Sequence, residues 1–499
     1  MTAMQALLDH LGLINDIEMA ASVLGWDQQT YMPPGGAEGR AQQLATLSGL
    51  AHEWFTGEKT ARLLDAAQPE ADAMDPNSDD ACIVAATRRD YERSRKLPNE
   101  FVSAWTQDGI MANEAWRKAR KANDFSAYLP HLEKMVGYAR RAADYYGFED
   151  HPYDALLDSF EPGMKASDVQ AVFDAIRPEQ IALAKTIAGK PQPRADFLSR
   201  DYPEAGQQSF AMKVVQDFGY DLTRGRVDLA PHPFETDFGR DDVRITTRYD
   251  RHMPQQGFYS IFHEGGHAMY EQNIRPSLSR TSLDSGASMM FHESQSRLWE
   301  NIIGRSRAVI EHYFPLMRDT FPESLADVSA DEFYRAVNRV EPSLIRVEAD
   351  EVTYNLHIML RFDLELSLLT GDLKAADLPE AWTAKMQEYL GVTPPNDADG
   401  VMQDTHWSQG MIGYFPTYAL GNVLSAQIFA SATKAHPEIP AELANGQFET
   451  LRTWLVDNLY THGRKFLPKE LAVKVNGGPL DAAPYLAYLK SKFGELYGV

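Results

Sequence analysis

Two histidines lie four residues apart in the segment His263-Glu264-Gly265-Gly266-His267. Residues at this spacing share one face of a helix, so both imidazoles can bind a single cation. Glu264 lies one position further round, where its carboxylate can take a proton from an attacking water molecule. The pattern predicts a metal centre for hydrolysis, with both histidines as ligands and Glu264 as the general base.

A third ligand must come from elsewhere in the chain, because a catalytic zinc usually has three protein ligands and one open position. The segment FHESQSRLWE, residues 291–300, repeats the letters Phe-His-Glu and offers two candidates, Glu293 and His292. Glu293 is favoured because two histidines with one glutamate are a common zinc ligand set. His292 stays the alternative ligand, and an ordinary place on a helix surface also stays open for Glu293.

The two adjacent glycines of the first segment are costly in a helix, at roughly 1 kcal/mol each. A residue without a side chain allows another backbone to come close. We therefore expect Gly265 and Gly266 to admit a neighbouring segment or the substrate.

Arg244 is a candidate for binding a peptide carboxylate. It lies in DVRITTRY, residues 242–249, where apolar and polar residues alternate as in a strand, and it faces away from Val243 and Ile245. A guanidinium can hold a carboxylate through two parallel hydrogen bonds. The spacing alone slightly favours an ordinary surface arginine.

Arg346 is the second candidate, on a long helix predicted to begin at Pro342 and to end at a Gly371 cap. It begins a polar stripe that could line a cleft, opposite an apolar face. A surface ion pair with Asp350, four residues on, is the alternative. The stripe consists of Arg346, Asp350, Thr353, His357 and Arg361.

The third candidate region, residues 400–422, crowds His406, Trp407, Tyr414 and Tyr418 among glycines. A histidine or tyrosine here could donate a hydrogen bond to the oxyanion that forms when water attacks a peptide carbonyl. These side chains fit an aromatic core as well.

The composition excludes several classes of partner. The net charge is −23 and is spread along the chain, which argues against nucleic acid and anionic membranes as partners. The uncharged stretch at residues 407–433 holds Asn and Gln and is predicted to be buried core rather than a membrane span. A single cysteine, Cys82, and an N-terminus without a basic signal-peptide region favour the cytoplasm.

Helical periodicity dominates the chain, and a mainly α protein with one small sheet is predicted. Residues 1–64 indicate helices that are interrupted at MPPGG, and helices continue from residue 80 to about residue 188. The Pro- and Asp-rich residues 65–80 indicate an exposed connection, and residues 190–241 look irregular. After Pro254 the helical pattern continues to the C-terminus.

With these segments assembled, the chain resembles the carboxypeptidase Taq family of zinc peptidases over nearly its whole length. Several independent motifs in the same order are more specific than the HExxH pattern alone. The motifs are WDQQTYMPPGGAEGRAQQ, HPF, DVRITT, HEGGH, HESQ, IRVEADEVTYNLHIMLRFDLE, GVMQDTHW and GYFPTYALGN.

The resemblance implies a fold similar to neurolysin and angiotensin-converting enzyme. We expect a single catalytic domain over residues 1–499, a large helical body with a deep central groove and a small β-sheet. Residues 1–80 would form helices covering the groove. A homodimer is implied as well.

The resemblance also implies a role for each candidate residue. His263, His267 and Glu293 would bind one zinc ion per chain, for which cobalt can substitute, and Glu264 would be the general base and later proton donor. Arg244 and Arg346 would recognise the substrate's terminal carboxylate. His406 and Tyr418, with Tyr414 as the rival tyrosine, would stabilise the tetrahedral intermediate.

The expected activity is that of a metallocarboxypeptidase of broad specificity, which hydrolyses the last peptide bond of peptides with a free C-terminal carboxylate and releases single amino acids. A neurolysin-like zinc oligoendopeptidase is the nearest alternative. A helical scaffold with a structural zinc is the alternative from another class, but it would leave Glu264 without a role.

Overall fold

The structure is a computed structural model that describes residues 2–499. Its N-terminal part confirms the predicted helices and their break at MPPGG. The predicted exposed connection at 65–80 is wrong in its first half, because residues 65–72 continue a helix and bury Ala67 and Ala71. The three helices are α1 (Ala3–Thr30), α2 (Ala37–Thr56) and α3 (Glu58–Asp72).

Six helices follow and lead to the sheet. The last of them lies in the segment that we expected to be irregular, so that expectation is wrong there: Pro203 caps a helix whose Phe210, Val214 and Phe218 turn one apolar face to the core. The six are α4 (Asp79–Ser94), α5 (Asn99–Ala122), α6 (Phe125–Tyr146), α7 (Pro152–Leu157), α8 (Ala166–Ala188) and α9 (Glu204–Phe218).

The small sheet has three strands in the order β1-β3-β2, namely β1 (Gly225–Leu229), β2 (Glu235–Asp237) and β3 (Val243–Thr247). β1 runs parallel to β3, and β2 runs antiparallel to it. The strand predicted around Arg244 is confirmed as β3. Val243 and Ile245 are buried on one side of it, and Arg244 is partly exposed on the other.

Two consecutive helices carry the predicted metal ligands: α10 (Pro254–Gln272) and α11 (Met289–Arg297). The chain leaves α11 through a π-helical segment, Leu298–Gly304, which is buried throughout. A π-helical turn is wide and is often found at functional sites.

Nine helices complete the body. Among them α16 carries residues 416–433 of the predicted uncharged stretch and packs against α11, α14 and α20, which confirms that this part is buried core. The nine are α12 (Arg307–Thr320), α13 (Ala330–Val337), α14 (Tyr354–Thr370), α15 (Leu378–Leu390), α16 (Pro416–Ala435), α17 (Ile439–Ala444), α18 (Glu449–Asn458), α19 (Pro468–Asn476) and α20 (Ala483–Tyr497). Within residues 2–499, no helix combines the length and the apolar character that crossing a bilayer requires.

The long helix predicted from Pro342 is shorter than expected. It begins only at Tyr354, since the Asp350 carboxylate accepts hydrogen bonds from the backbone N–H groups of Val352 and Thr353 and ends the irregular segment there. Its predicted end is confirmed, because Gly371 adopts φ +88° as the left-handed cap. Arg346 therefore lies in a short 3-10 turn ahead of α14.

The apolar core has two parts. The large part extends from Phe101 in α5 to Leu496 in α20. A smaller cluster joins α1, α3 and α4 to Ile274, Leu278 and Leu283 in the loop between α10 and α11. The N-terminal helices are thus packed through their own apolar cluster onto the loop that precedes α11.

Candidate metal centre and active site

His263, His267 and Glu293 lie together in the folded chain, and each offers a ligand atom within 4.8 Å of the other two. His263 Nε2 is 3.9 Å from Glu293 Oε2. The Nδ1 atoms of both histidines contact other protein groups, which leaves both Nε2 atoms for a cation. Two imidazole nitrogens and one carboxylate oxygen form a donor set that suits zinc.

His292, the alternative third ligand, lies on the other side of His267. Its Nδ1 is 3.3 Å from His267 Nδ1, and its Nε2 is 2.8 Å from Glu271 Oε1. Both ring nitrogens therefore have protein partners, whereas the Glu293 carboxylate faces the Nε2 side of the histidine pair.

Glu300 supports His263 from behind, in the π-helical segment. Its Oε2 is 2.9 Å from His263 Nδ1 and 3.1 Å from Arg297 Nη1, and its Oε1 is 3.2 Å from Arg305 Nη2. Burial alone would raise the pKa of the Glu300 carboxyl, but Arg297 and His263 hold it well below its usual range. An ionised carboxylate here fixes the tautomer and the orientation of His263.

The adjacent glycines of α10 lie where two other helices come close. A Cβ on Gly266 would be 2.5 Å from the carbonyl oxygen of Gln295 in α11, and one on Gly265 would be 2.5 Å from Val215 Cγ2 in α9. The expected close approach is thus made by neighbouring protein segments. Because α11 carries Glu293, Gly266 sets the separation of the two helices that meet at the candidate metal site.

A third glycine, Gly421, lies in α16 at the point where this helix packs against α11. A Cβ there would be 2.5 Å from Glu293 Cβ and 3.0 Å from Glu293 C. We expect Gly421→Ala to displace Glu293, to weaken metal binding and to cost about 1–3 kcal/mol of stability, since the backbone of α11 must move. Metal titration and denaturant unfolding would measure both effects.

Gly137→Ala is the matched control for this change, because Gly137 lies within α6 and a Cβ there meets nothing within 4 Å. It should stabilise the protein by up to about 1 kcal/mol through helix propensity. Equal behaviour of the two variants would contradict a positioning role for Gly421.

Glu264 is buried next to the ligand pair. Burial, with the nearby carboxylates of Glu293 and Glu300, raises the pKa of the Glu264 carboxyl to about 7, although His263 acts in the opposite direction. A carboxylate with a pKa near neutrality both accepts and returns a proton readily, which suits general acid–base catalysis.

Arg346 is buried and paired within the protein rather than on a wet surface. Its Nε and Nη2 donate to Asp404 Oδ1 at 3.0 and 2.8 Å, and its Nη1 donates to the Tyr354 hydroxyl at 2.9 Å. Asp404 Oδ2 accepts from Arg361 Nε at 2.7 Å. One buried carboxylate thus holds two buried guanidinium groups.

Arg244 is likewise paired, with the residue that immediately precedes its strand β3. Its Nε and Nη2 donate to the two carboxylate oxygens of Asp242 at 2.8 and 2.7 Å. The guanidinium carbon lies 4.4 Å from the ring centroid of Trp26 and 4.8 Å from that of Phe238. Trp26 belongs to α1, so an N-terminal helix contacts this arginine through a cation–π interaction.

His406, Tyr414 and Tyr418 form one aromatic cluster. His406 Nε2 is 3.3 Å from the Tyr418 hydroxyl, and the rings of the two tyrosines are 5.2 Å apart. Burial lowers the pKa of the His406 imidazole to about 3, although Asp404 acts against it, so His406 is neutral at pH 7. Tyr418 and Gly421 lie in the same turn of α16, which connects this cluster to Glu293.

The residues that support the site could not be recognised from the sequence. Glu300 and Glu271 had no predicted role, Arg361 was named only as part of the polar stripe, and Asp404 was named only as part of the GVMQDTHW motif. Glu300 follows Glu293 by seven residues, a two-turn spacing that could have indicated a shared helix face. The pairing of Asp404 with two arginines carries no local sequence signal.

A helical body organised around an HExxH helix, with a carboxylate from a second helix completing a candidate metal site, defines a metallopeptidase. The family model described as Carboxypeptidase Taq (M32) metallopeptidase matches residues 6–493, and the chain belongs to this family. The family's activity makes the protein a metallocarboxypeptidase, as the sequence resemblance predicted, and the neurolysin-like alternative is not favoured.

Named relatives and a solved structure agree with this assignment. The chain is 40% identical to thermostable carboxypeptidase 1 of Thermus thermophilus, with 99% of each chain covered. It is 36% identical to carboxypeptidase 1 of Bacillus subtilis, covering 98% of this chain and 97% of the relative. The crystal structure of an M32 carboxypeptidase from Deinococcus radiodurans R1 is 44% identical, with a TM-score of 0.97 and full coverage of both chains.

Proposed function

We propose that this metallocarboxypeptidase uses one zinc ion, held by His263, His267 and Glu293, to release single C-terminal amino acids from peptides of varied sequence. The observation that carries the proposal is the convergence of these three ligand atoms beside the buried carboxylate of Glu264. When bound, the metal supplies Lewis-acid chemistry, polarising the scissile carbonyl and activating water near neutral pH.

Glu264 takes the proton from the attacking water and returns it to the leaving amine. A raised pKa supports both halves of this transfer, because the carboxylate is basic enough to accept the proton and acidic enough to give it back. Its burial keeps bulk water from competing for the proton.

Arg244 and Arg346 bind the substrate's terminal carboxylate in this proposal. Both already pair with a protein carboxylate through Nε and Nη2, and Arg346 Nη1 also donates one N–H to the Tyr354 hydroxyl. The substrate therefore contacts Arg244 Nη1 and the remaining N–H of Arg346 Nη1 rather than the bidentate edge that we expected. The Asp242 and Asp404 pairs hold each guanidinium in place, which limits the entropy lost on binding.

His406 and Tyr418 donate hydrogen bonds to the oxyanion of the tetrahedral intermediate, and Tyr414 is the second tyrosine within reach of the same cluster. Support comes from the neutral state of His406 at pH 7, which leaves one ring nitrogen as a donor. Tyr418 lies one helical turn from Gly421, which contacts Glu293. This supports a position of the Tyr418 cluster close to the metal ligands.

A peptide with a C-terminal amide tests the recognition of the carboxylate. We expect kcat/KM for an amidated peptide to fall about 10²–10⁴-fold below that of the free acid, because two charge-assisted hydrogen bonds of about 1.5–3 kcal/mol each are lost. Amino-acid release by mass spectrometry measures both substrates. Equal cleavage of the two peptides, or cleavage at internal bonds, would favour the endopeptidase reading.

The N-terminal helices of residues 1–80 are proposed to cover a deep groove in a single catalytic domain. Support comes from Trp26 of α1, which packs on the guanidinium of Arg244. We also propose that the fold is similar to those of neurolysin and angiotensin-converting enzyme.

A cytoplasmic homodimer completes the proposal. The lone thiol of Cys82 supports a reducing compartment, and the dimer follows from the sequence resemblance. Light scattering on the purified protein tests the oligomeric state.

A further inference from the structure

Glu271 and His292 make a chain of contacts that ends at a candidate metal ligand. Glu271 Oε1 lies 2.8 Å from His292 Nε2, and His292 Nδ1 lies 3.3 Å from His267 Nδ1. Glu271 and His267 are both on α10, one helical turn apart, and His292 bridges them from α11. All three groups are enclosed, with only 5% of the Glu271 side chain and 13% of the His292 side chain exposed.

Only one distribution of protons over the ring nitrogens of His292 and His267 leaves His267 able to bind a metal. An ionised carboxylate only accepts, so His292 Nε2–H donates to Glu271, which leaves His292 Nδ1 as an acceptor. His267 then donates its Nδ1–H to His292, and its Nε2 lone pair is free for a cation. A proton on both Nδ1 atoms would set two donors against each other at 3.3 Å.

The surrounding loop is built to seat His292 in this position. A Cβ at Gly286 would be 2.4 Å from His292 Nε2, so only glycine leaves room for the ring. The Gly286 N–H also donates to Glu271 Oε1 at 2.9 Å, and the Tyr270 ring lies 5.1 Å from the His292 ring. Backbone, glutamate and histidine therefore fix one another.

We propose that Glu271 and His292 are positioning residues that fix the tautomer and the orientation of His267 for metal binding. The inference rests on the proposed metal site. It gives the two histidine ligands different supports, a carboxylate in direct contact for His263 and a carboxylate acting through a second imidazole for His267. The histidine of the second Phe-His-Glu thus acts on the metal through another residue, while Glu293 beside it faces the cation.

The test is the metal dissociation constant of His292→Phe and Glu271→Gln, measured by competition with a chelator on the full-length protein. Phe keeps the ring shape without nitrogen atoms, and Gln keeps an acceptor without the charge. We expect about 100-fold weaker binding for His292→Phe and about 10-fold for Glu271→Gln, the range found when an outer partner of a metal ligand is removed. The Co²⁺-loaded His292→Phe variant should also show an altered visible absorption spectrum.

Controls separate this role from plain packing. His312→Phe, at an exposed position on α12, should bind the metal as the wild type does. A lower melting temperature of the metal-free His292→Phe variant with an unchanged dissociation constant and Co²⁺ spectrum would overturn the proposal. If His292→Phe fails to fold, binding by Glu271→Gln within twofold of the wild type overturns it.

Failure of the metal site itself would look different. The wild type should bind one metal ion, and His263→Ala should abolish that binding. If the metal binds with unchanged affinity in His263→Ala, the proposed metal site is wrong. If His263→Ala loses the metal while His292→Phe and Glu271→Gln bind it as tightly as the wild type, the metal site is correct. Only the positioning role of Glu271 and His292 is then wrong.

Discussion

Glu264→Gln is expected to lower kcat by about 10³-fold or more while the protein still binds one metal ion per chain. The amide has nearly the same shape as the carboxylate but cannot accept the proton of the attacking water, and general-base catalysis contributes about 10²–10⁴-fold to a rate. The carboxylate lies outside the group of three ligand atoms, so its loss leaves that donor set intact. Elemental analysis and steady-state kinetics on one peptide measure both quantities.

Glu133→Gln is the matched control, since Glu133 is exposed on α6 and its change should leave kcat unaltered. A Glu264→Gln variant that keeps a tenth of the wild-type kcat would contradict the general-base role. Loss of the metal in this variant would show instead that Glu264 takes part in binding. The same metal analysis on the wild type identifies the native ion.

Local spacing was sufficient to predict which residues converge at the candidate metal site. His263, Glu264 and His267 lie within one helical segment, so their relative geometry follows from the helix itself. Glu293 required only a second helix that packs against the first. The β3 strand and the Gly371 cap were predictable for the same reason, because alternation and a left-handed glycine are local signals.

The supporting groups could not be predicted, because their partners lie far away along the chain. Asp404 meets Arg346 and Arg361 across 58 and 43 residues, and no spacing rule connects them. Arg346 was placed on a helix because Pro342 and Gly371 bracket an apolar stripe of helical spacing. The helix begins only at Tyr354, because the Asp350 carboxylate accepts hydrogen bonds from the backbone N–H groups of Val352 and Thr353. A local side-chain-to-backbone bond of this kind overrides periodicity.

The glycines at helix contacts also show that partners far away along the chain cannot be predicted from local sequence. Sequence indicated that Gly265 and Gly266 admit a close neighbour, but it could not identify α9 and α11 as the neighbours. Gly421 gave no signal at all, although it approaches Glu293 as closely as Gly266 approaches Gln295. The distance between two packed helices depends on the residues of both helices, and only the folded structure shows which helix is the neighbour.

Asp404→Asn should have the largest effect on stability of any single exchange at this site. Asp404 is a buried carboxylate with two buried arginines, Arg346 and Arg361, whose side chains are 7% and 0% exposed. Removing one partner of a buried ion pair leaves uncompensated charge in the interior and typically costs about 3–5 kcal/mol. Here two cations lose their common anion, so we expect the upper part of that range.

The pH dependence of this loss has a definite sign. Burial alone would raise the pKa of the Asp404 carboxyl, but Arg346 and Arg361 hold it well below its usual value of 3.8. A carboxyl with a lowered pKa stabilises the fold above that value and loses the contribution as the pH falls. The stability gap between the wild type and Asp404→Asn should therefore be full at pH 7 and narrow below about pH 4.

Asp65→Asn is the control that tests burial rather than charge. Asp65 pairs with Arg88 at 3.2 Å, but 74% of its side chain is exposed. A surface pair contributes about 0–1 kcal/mol, so this variant should unfold at nearly the wild-type urea concentration. If Asp404→Asn lowers the free energy of unfolding no more than Asp65→Asn at pH 7, Asp404 does not hold the two arginines in the protein in solution. The proposal that Asp404 fixes the guanidinium of Arg346 for substrate binding would then be wrong.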